Sequence, residues 1–341
     1  MEVVSGALAL PVTDPSGAGE ARRQVVRLVE ALGFDETTAG RVAIAATEAA
    51  TNLAKHSPTG GVVMARPCRR GDAVGVELIA MDRGPGMVNP AECMRDGYST
   101  AGSPGTGLGA LRRMSDDFDL FSTPDVGTVL LSRIWAVEPG AAEAQGVTVG
   151  AVIVAKPGQE VCGDNAGSEE AGGRTTCVVA DGLGHGPDAA EASRLALRVF
   201  RANPGEAPGE LLHRMHAALR PTRGAAVSVV QIDARTGIVR CAGVGNIAGS
   251  VVAPDGASRS LVSHNGIVGH EMRKVQEFEV PWPTGAVLVM HSDGIGSRWS
   301  LDRYPGLMGR DPAVVAAVVY RDFCRGTDDA TVLVAREAHP A

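Results

Sequence analysis

Aromatic residues are scarce in this sequence. Phe, Trp and Tyr make up 4% of 341 residues, so the interior must be aliphatic and alanine-rich. Cysteine is thinly spread. Cys68, Cys93, Cys162, Cys177, Cys241 and Cys324 stand far apart, with no Cys-x-x-Cys pair. That spacing argues against a zinc site and a disulfide framework, and fits reduced thiols in a cytoplasmic protein. No basic run interleaved with aromatics occurs and the net charge is −7, so nothing points to nucleic acid. No apolar run approaches the ~20 residues of a membrane span. The first Arg is Arg22, so the apolar amino terminus has no basic region before it and does not read as a signal peptide.

Glycine, by contrast, is abundant: 44 residues, roughly twice the usual share, which indicates many tight loops. A chain of this length exceeds what one hydrophobic core usually supports, so two domains are expected. Residues 138–146 are small and turn-prone and read as a linker. The expected boundaries are 1–137 and 147–341.

In the first half, Val25, Val26, Leu28, Val29 and Leu32 recur at helical spacing over residues 20–32. Asp35 can cap a second helix reaching His56. Strands are expected at Gly61–Arg66, Val74–Asp82, Phe118–Ser122 and Thr128–Trp135, with a short helix at Leu108–Met114. Three features here carry chemistry. Glu48 and Asn52 lie four residues apart on one helix face, with Lys55 a turn later; such residues are either a solvated side or a site. Asp82-Arg83-Gly84-Pro85-Gly86 ends a strand, as a turn or as a binding loop. Gly105-Thr106-Gly107-Leu108-Gly109 opens a helix and suits phosphate on free backbone N–H groups. It lacks the Lys-Ser/Thr ending of a P-loop.

The order of these motifs, with Gly127-Thr128 on the last strand, resembles the GHKL ATPase/kinase superfamily, and within it the anti-sigma-factor serine kinases of the RsbW and RsbT type. The resemblance covers residues 10–136. It implies ATP with Mg²⁺ as cofactor, Asn52 as the Mg²⁺ ligand with Lys55 beside it, and Asp82 accepting from the adenine amino group. Gly84 and Gly86 would admit the base and Thr128 would flank it. Gly105, Thr106, Gly107, Leu108 and Gly109 would wrap the phosphates, and Glu48 would be the base that deprotonates the substrate hydroxyl. Phosphoryl transfer needs positioning and charge neutralisation more than covalent help.

In the second half, acidic residues recur at strand ends. Asp164 follows Cys162-Gly163, Asp181 ends the run Val178-Val179-Ala180, Asp293 follows Val287–Ser292, and Asp328-Asp329 precedes Ala330–Val334. Any one of them reads as a turn or cap. Four together suit a hard-oxygen site for Mn²⁺ or Mg²⁺, and two such ions can activate water and clamp a phosphate. Helices are expected at Pro187–Ala202, Pro208–Leu219 and Pro312–Arg321 among many strands, which indicates stacked sheets and helices.

The series Gly-Asp, Asp-Gly-x-Gly-x-Gly, Ser-Asp-Gly-Ile and Asp-Asp-x-Thr resembles the type 2C metal-dependent serine/threonine phosphatases, more narrowly the SpoIIE branch with its RsbX-like members. It spans residues 147–337. The resemblance implies that Asp181 bridges two ions, that the Gly182 carbonyl and Asp164 complete one site, and that Asp293 and Asp328 hold the other ion. Asp329 would support rather than ligate. Leu183 fills the slot where eukaryotic relatives place a histidine, leaving His185 to proton transfer or to loop structure. The helix after Gly186 matches a segment that acts as a regulatory switch in that branch.

The expected fold is therefore α/β (α+β): a GHKL-type α/β sandwich followed by a type 2C α-β-β-α sandwich. The implied function is a bifunctional, cytoplasmic regulator. It would combine a Mn/Mg-dependent phosphoserine/phosphothreonine phosphatase with an ATP-binding serine/threonine kinase domain. Partners would be phosphorylated STAS-domain proteins, anti-sigma-factor antagonists or stressosome components of a sigma-factor cascade, with neither nucleic acid nor membrane and with a homodimer open. The alternative is a phosphatase whose first domain senses ATP or binds a partner without catalysis.

Overall fold

In the computed structural model, two aspartates start the long helices of the first half. Asp14 accepts from the amides of Ser16 and Gly17 ahead of α1 (Pro15–Ala31), and Asp35 accepts from Thr38 ahead of α2 (Glu36–His56). Helix α1 begins earlier than its apolar spacing predicts, because the cap and Pro15 nucleate a first turn of small residues with no hydrophobic period. The structure describes residues 2–3, 7–94, 107–140 and 146–338. They form two units: 7–140 with Gly309–Arg321, and 2–3 with 146–308 and 322–338. Most of the 138–146 linker lies outside the described residues.

The first unit is an antiparallel sheet in the order β3 (Gly61–Arg70), β4 (Ala73–Asp82), β6 (Gly127–Trp135), β5 (Asp117–Thr123). Strand β2 (Leu8–Val12) pairs with β3; its Pro11 suits an edge, and it was not evident from the sequence. Glu2–Val3 form a two-residue strand, β1, grouped with the second unit, and a one-turn helix, α3 (Pro90–Cys93), lies in the first. Helix α2 presents Val42, Ala45, Ala46, Ala49, Ala50 and Leu53 to Val63, Ala65, Val76, Leu78 and Ile134 of the sheet. Methyl-sized side chains let the helix lie close to the strands, and its polar residues fall on the remaining face. Helix α4 (Gly107–Met114) adds Leu111 to the same core.

The strand register places Arg66, Glu77 and Arg133 directly across from one another. Glu77 is fully buried and accepts from Arg66 Nε and Arg133 Nε, both at 2.8 Å. Arg133 also makes a two-pronged pair with Asp311 at 2.7 and 2.9 Å. Alternating charge across three strands satisfies every guanidinium that the sheet buries here.

The second unit stacks two five-stranded antiparallel sheets. One runs β14 (Phe278–Pro281), β11 (Ile238–Val244), β10 (Ala225–Asp233), β9 (Arg174–Gly182), β8 (Asp164–Ala171). The other runs β13 (Ser258–Ser260), β12 (Ala248–Val252), β15 (Val287–His291), β16 (Ala330–Glu337), β7 (Val147–Val154). Alternate residues of both sheets, among them Val179, Val230, Leu288 and Leu333, form the core between them. Helices α5 (Pro187–Ala202) and α6 (Pro208–Leu219) cover the outer face of the first sheet through Leu197, Phe200, Leu211 and Met215. Helix α7 (Pro312–Phe323), which belongs to the first unit as far as Arg321, is buried along most of its length, consistent with a run of Val and Ala. Strand β8 was not expected: Asp-Asn-Ala-Gly-Ser-Glu-Glu-Ala contains no β-branched or aromatic residue. Pairing with β9 overrides that weak propensity.

Replacing Glu77 by Ala would leave Arg66 and Arg133 facing each other in a buried sheet. The expected loss is about 3–5 kcal/mol of first-unit stability, read as an early transition in urea unfolding that leaves the second transition in place.

Candidate active sites

The second unit brings its acidic strand ends to one place. Asp164 opens β8 and Asp181 lies near the end of β9, and the register sets them directly opposite each other. Like charges so placed repel. The two side chains are hydrogen-bonded to each other, and burial together with the neighbouring carboxylates raises the pKa of both well above the ordinary value. Asp293 lies just past β15 and Asp328 just before β16. Asp181, Asp293 and Asp328 line one open cavity of about 430 Å³. Its walls are Leu183, Gly184 and His185 on one side and Asn246, Asn265 and Ile267 on the other.

Each carboxylate has its own support. Ser292 Oγ donates to Asp164 Oδ2 at 2.6 Å and accepts from the Thr331 amide at 3.0 Å. Asn246 Nδ2 donates to Asp293 Oδ2 at 2.8 Å. Asp328 Oδ1 accepts from the Asp329 amide at 2.9 Å. Buried Asp329 accepts from the Lys156 and Gly163 amides at 2.7 and 2.9 Å, so both of its oxygens hold backbone. Neither Ser292 nor Asn246 stood out in the sequence; only their places beside Asp293 and at the end of β11 could have flagged them.

Glycines after two of the aspartates are needed for space. A Cβ on Gly182 would fall 2.0 Å from the Ala189 carbonyl oxygen of α5, and one on Gly294 would fall 2.0 Å from the Asp329 carbonyl oxygen. Gly184 and Gly186 have positive φ, 92° and 77°, which turns the chain between β9 and α5 and leaves His185 exposed at the cavity. His291 is buried with both nitrogens engaged. Trp299 Nε1 donates to Nε2, so Nδ1 carries the proton and donates to the Ser292 carbonyl. Burial lowers its pKa, and no nitrogen is left for the cavity.

The donors at this cavity are all oxygen, the set that Mn²⁺ and Mg²⁺ prefer. Among the described residues no three His, Cys, Asp or Glu side chains already stand close enough to hold an ion. The set is open, and the hydrogen-bonded Asp164–Asp181 pair fits a cation that would displace its proton.

In the first unit, Glu48 and Asn52 lie side by side on α2 beneath the start of α4. A Cβ on Gly107 would fall 3.0 Å from Glu48 Oε2 and 3.2 Å from Asn52 Oδ1. Among the described residues Asn52 Nδ2 is buried with no hydrogen-bond partner, and an orphaned amide of this kind is expensive unless a ligand satisfies it. Asp82 ends β4, accepts from the Gly84 amide at 2.6 Å, and has its pKa raised chiefly by burial. Thr128 lies across from it at the start of β6, bonded to Ser122 at 2.9 Å. Gly86 has a φ of 64° and Gly127 a φ of 125°, and neither has room for a Cβ. These groups fit an adenine nucleotide.

One expectation changes here: Gly107, Leu108 and Gly109 lie in the first turn of α4 and not in a loop. The Leu108 side chain packs on the core, and Lys55 is exposed on α2. Gly105 and Thr106 lie outside the described residues.

The family model described as Stage II sporulation protein E (SpoIIE) matches residues 171–337, and that described as histidine kinase-like ATPase domain matches residues 12–133. Serine/threonine-protein kinase RsbT of Bacillus subtilis (strain 168) is 34% identical over 116 residues, which cover 34% of this chain and 86% of RsbT. Phosphoserine phosphatase RsbX of the same organism is 26% identical over 140 residues, 41% of this chain and 70% of RsbX. A solved structure from work on the bacterial stressosome as a modular system adapted to control secondary messenger signalling aligns with a TM-score of 0.51 at 27% identity. It covers 56% of this chain and 99% of its own. These matches show a type 2C serine/threonine phosphatase domain of SpoIIE type and a kinase-type ATPase domain. Through its first half the chain belongs to the RsbT kinase family.

The raised pKa of the Asp164–Asp181 pair has a sign that can be checked. Because the folded state binds protons that the unfolded chain releases, this pair contributes stability at low pH and loses it as pH rises. A cation must displace those protons. The rise in melting temperature on adding Mn²⁺ is therefore expected to be larger at pH 8 than at pH 5.5, and in Asp181→Asn it is expected to shrink at both.

Proposed function

We propose that this chain sets the phosphorylation state of a STAS-domain protein, an anti-sigma-factor antagonist or stressosome component, from both directions. Its second unit would remove phosphate from serine or threonine and its first would transfer phosphate from ATP. The observation that carries the phosphatase site is the convergence of Asp181, Asp293 and Asp328 on one cavity with Asp164 behind. Asp181 would bridge two Mn²⁺ or Mg²⁺ ions. The Gly182 carbonyl and Asp164 would complete one site, and Asp293 and Asp328 the other. The ions supply water activation and neutralisation of phosphate charge. The chain itself places the carboxylates at the ends of separate strands, fixes Asp164 through Ser292, and leaves the cavity open.

In the first unit, Asn52 would hold the Mg²⁺ of ATP, Asp82 would accept from the adenine amino group, and Gly84, Gly86 and Thr128 would surround the base. The α4 amides at Gly107 and Gly109, following Gly105 and Thr106, would meet the phosphates. Glu48 would accept the proton of the substrate hydroxyl. The orphaned Asn52 amide beside Glu48 supports nucleotide binding.

The test is incubation with candidate STAS proteins, with ATP-Mg²⁺ or with Mn²⁺ alone, scored by phosphate-dependent gel shift. Asp181→Asn is expected to abolish Mn²⁺-dependent dephosphorylation and leave ATP binding intact; persistent hydrolysis overturns the site. Glu48→Ala is expected to bind ATP and transfer nothing. A wild-type protein that binds ATP and phosphorylates no candidate would favour a first unit that senses nucleotide or binds a partner.

A further inference from the structure

Each carboxylate at the cavity is anchored differently. Asp164 has Ser292, Asp328 has a backbone amide, and Asp181 has its partner Asp164. Asp293 is exposed, and among the described residues the Asn246 side chain is its one hydrogen-bond donor.

The pairing of β12 with β15 explains why these two meet. Ala248 lies across from His291, so carrying the register two residues outward sets 246 opposite 293. The turn holding Asn246 is pinned. The Gly245 amide donates to the His264 carbonyl at 2.8 Å, and the Gly245 carbonyl accepts from Ser263 Oγ at 2.9 Å. A Cβ on Gly245 would fall 2.3 Å from that of Ala226, which itself stands across from Asp181. The Asp293 backbone is equally fixed, by the contact of Gly294 with Asp329. Two rigid backbones therefore face each other, and the Asn246–Asp293 bond is the mobile remainder between them.

We propose that Asn246 is the positioning residue of Asp293. Its Nδ2 occupies Oδ2 and leaves Oδ1 for a cation. An amide does this without charge, whereas a carboxylate at 246 would add a fourth negative group to the cavity. The inference rests on the reading of Asp293 as a metal ligand. Residues that orient a metal ligand typically change affinity by about 10- to 100-fold when removed.

The experiment is Mn²⁺ titration of the metal-stripped full chain, following bound ion by electron paramagnetic resonance and calorimetry, for wild type, Asn246→Ala, Asp293→Asn and the double variant. Asn246→Ala is expected to weaken one Mn²⁺ about 10-fold or more, with the metal-free melting temperature unchanged. The double variant should bind no more weakly than Asp293→Asn. If Asn246→Ala binds as wild type while Asp293→Asn is weakened, Asn246 does not position Asp293 and the metal site stands. If Asp293→Asn binds as wild type, the ligand reading itself fails. Additive losses in the double variant would also overturn the proposal, because Asn246 would then act by another route.

Discussion

The second unit is built around a pair of carboxyl groups that share a hydrogen bond. Strands β8 and β9 pair so that buried Asp164 and half-buried Asp181, at the edge of the cavity, face each other. Ionised together they would repel, and burial with the neighbouring carboxylates raises their pKa values so that a proton stays on the pair. Fixed donors surround it: Ser292 on Asp164, and the Gly163 amide held by Asp329 just outside. The result is a protonated carboxyl pair beside an open cavity.

The first unit uses a different constraint, closeness. An alanine face lets α2 approach the sheet, and the start of α4 comes down on Glu48 and Asn52 because Gly107 has no side chain. Among the described residues the Asn52 Nδ2 amide there has no partner. On the opposite face of that sheet the Arg66–Glu77–Arg133 ladder is fully paired. One face is complete in itself and the other is incomplete, and the incomplete face carries the proposed nucleotide site.

Much of this was legible from spacing. Glu48 and Asn52 four residues apart dictated a shared helix face, and the β-branched runs ahead of Asp181 and Asp293 dictated buried strands ending in carboxylates. Strand β8 was hidden because its residues have no strand preference of their own; only β9 makes it a strand. Helix α4 begins one residue earlier than its apolar pattern reveals, since Gly107 contributes no period. Asn246 was illegible for another reason. Its role comes from cross-strand register, and pairing partners 47 residues apart leave no local pattern in the chain.

The glycines behind the aspartates carry a consequence for reading relatives of this chain. Gly182 and Gly294 touch backbone where a side chain would begin, so an Asp-Gly pair here is a spatial unit and not two independent letters. A homologue that retained all four carboxylates yet carried alanine at either glycine would keep the charges and lose their arrangement. Counting acidic residues would score such a chain as intact. The absent methyl group, and not the carboxylates, would be the more sensitive record of whether a lineage has kept a working centre.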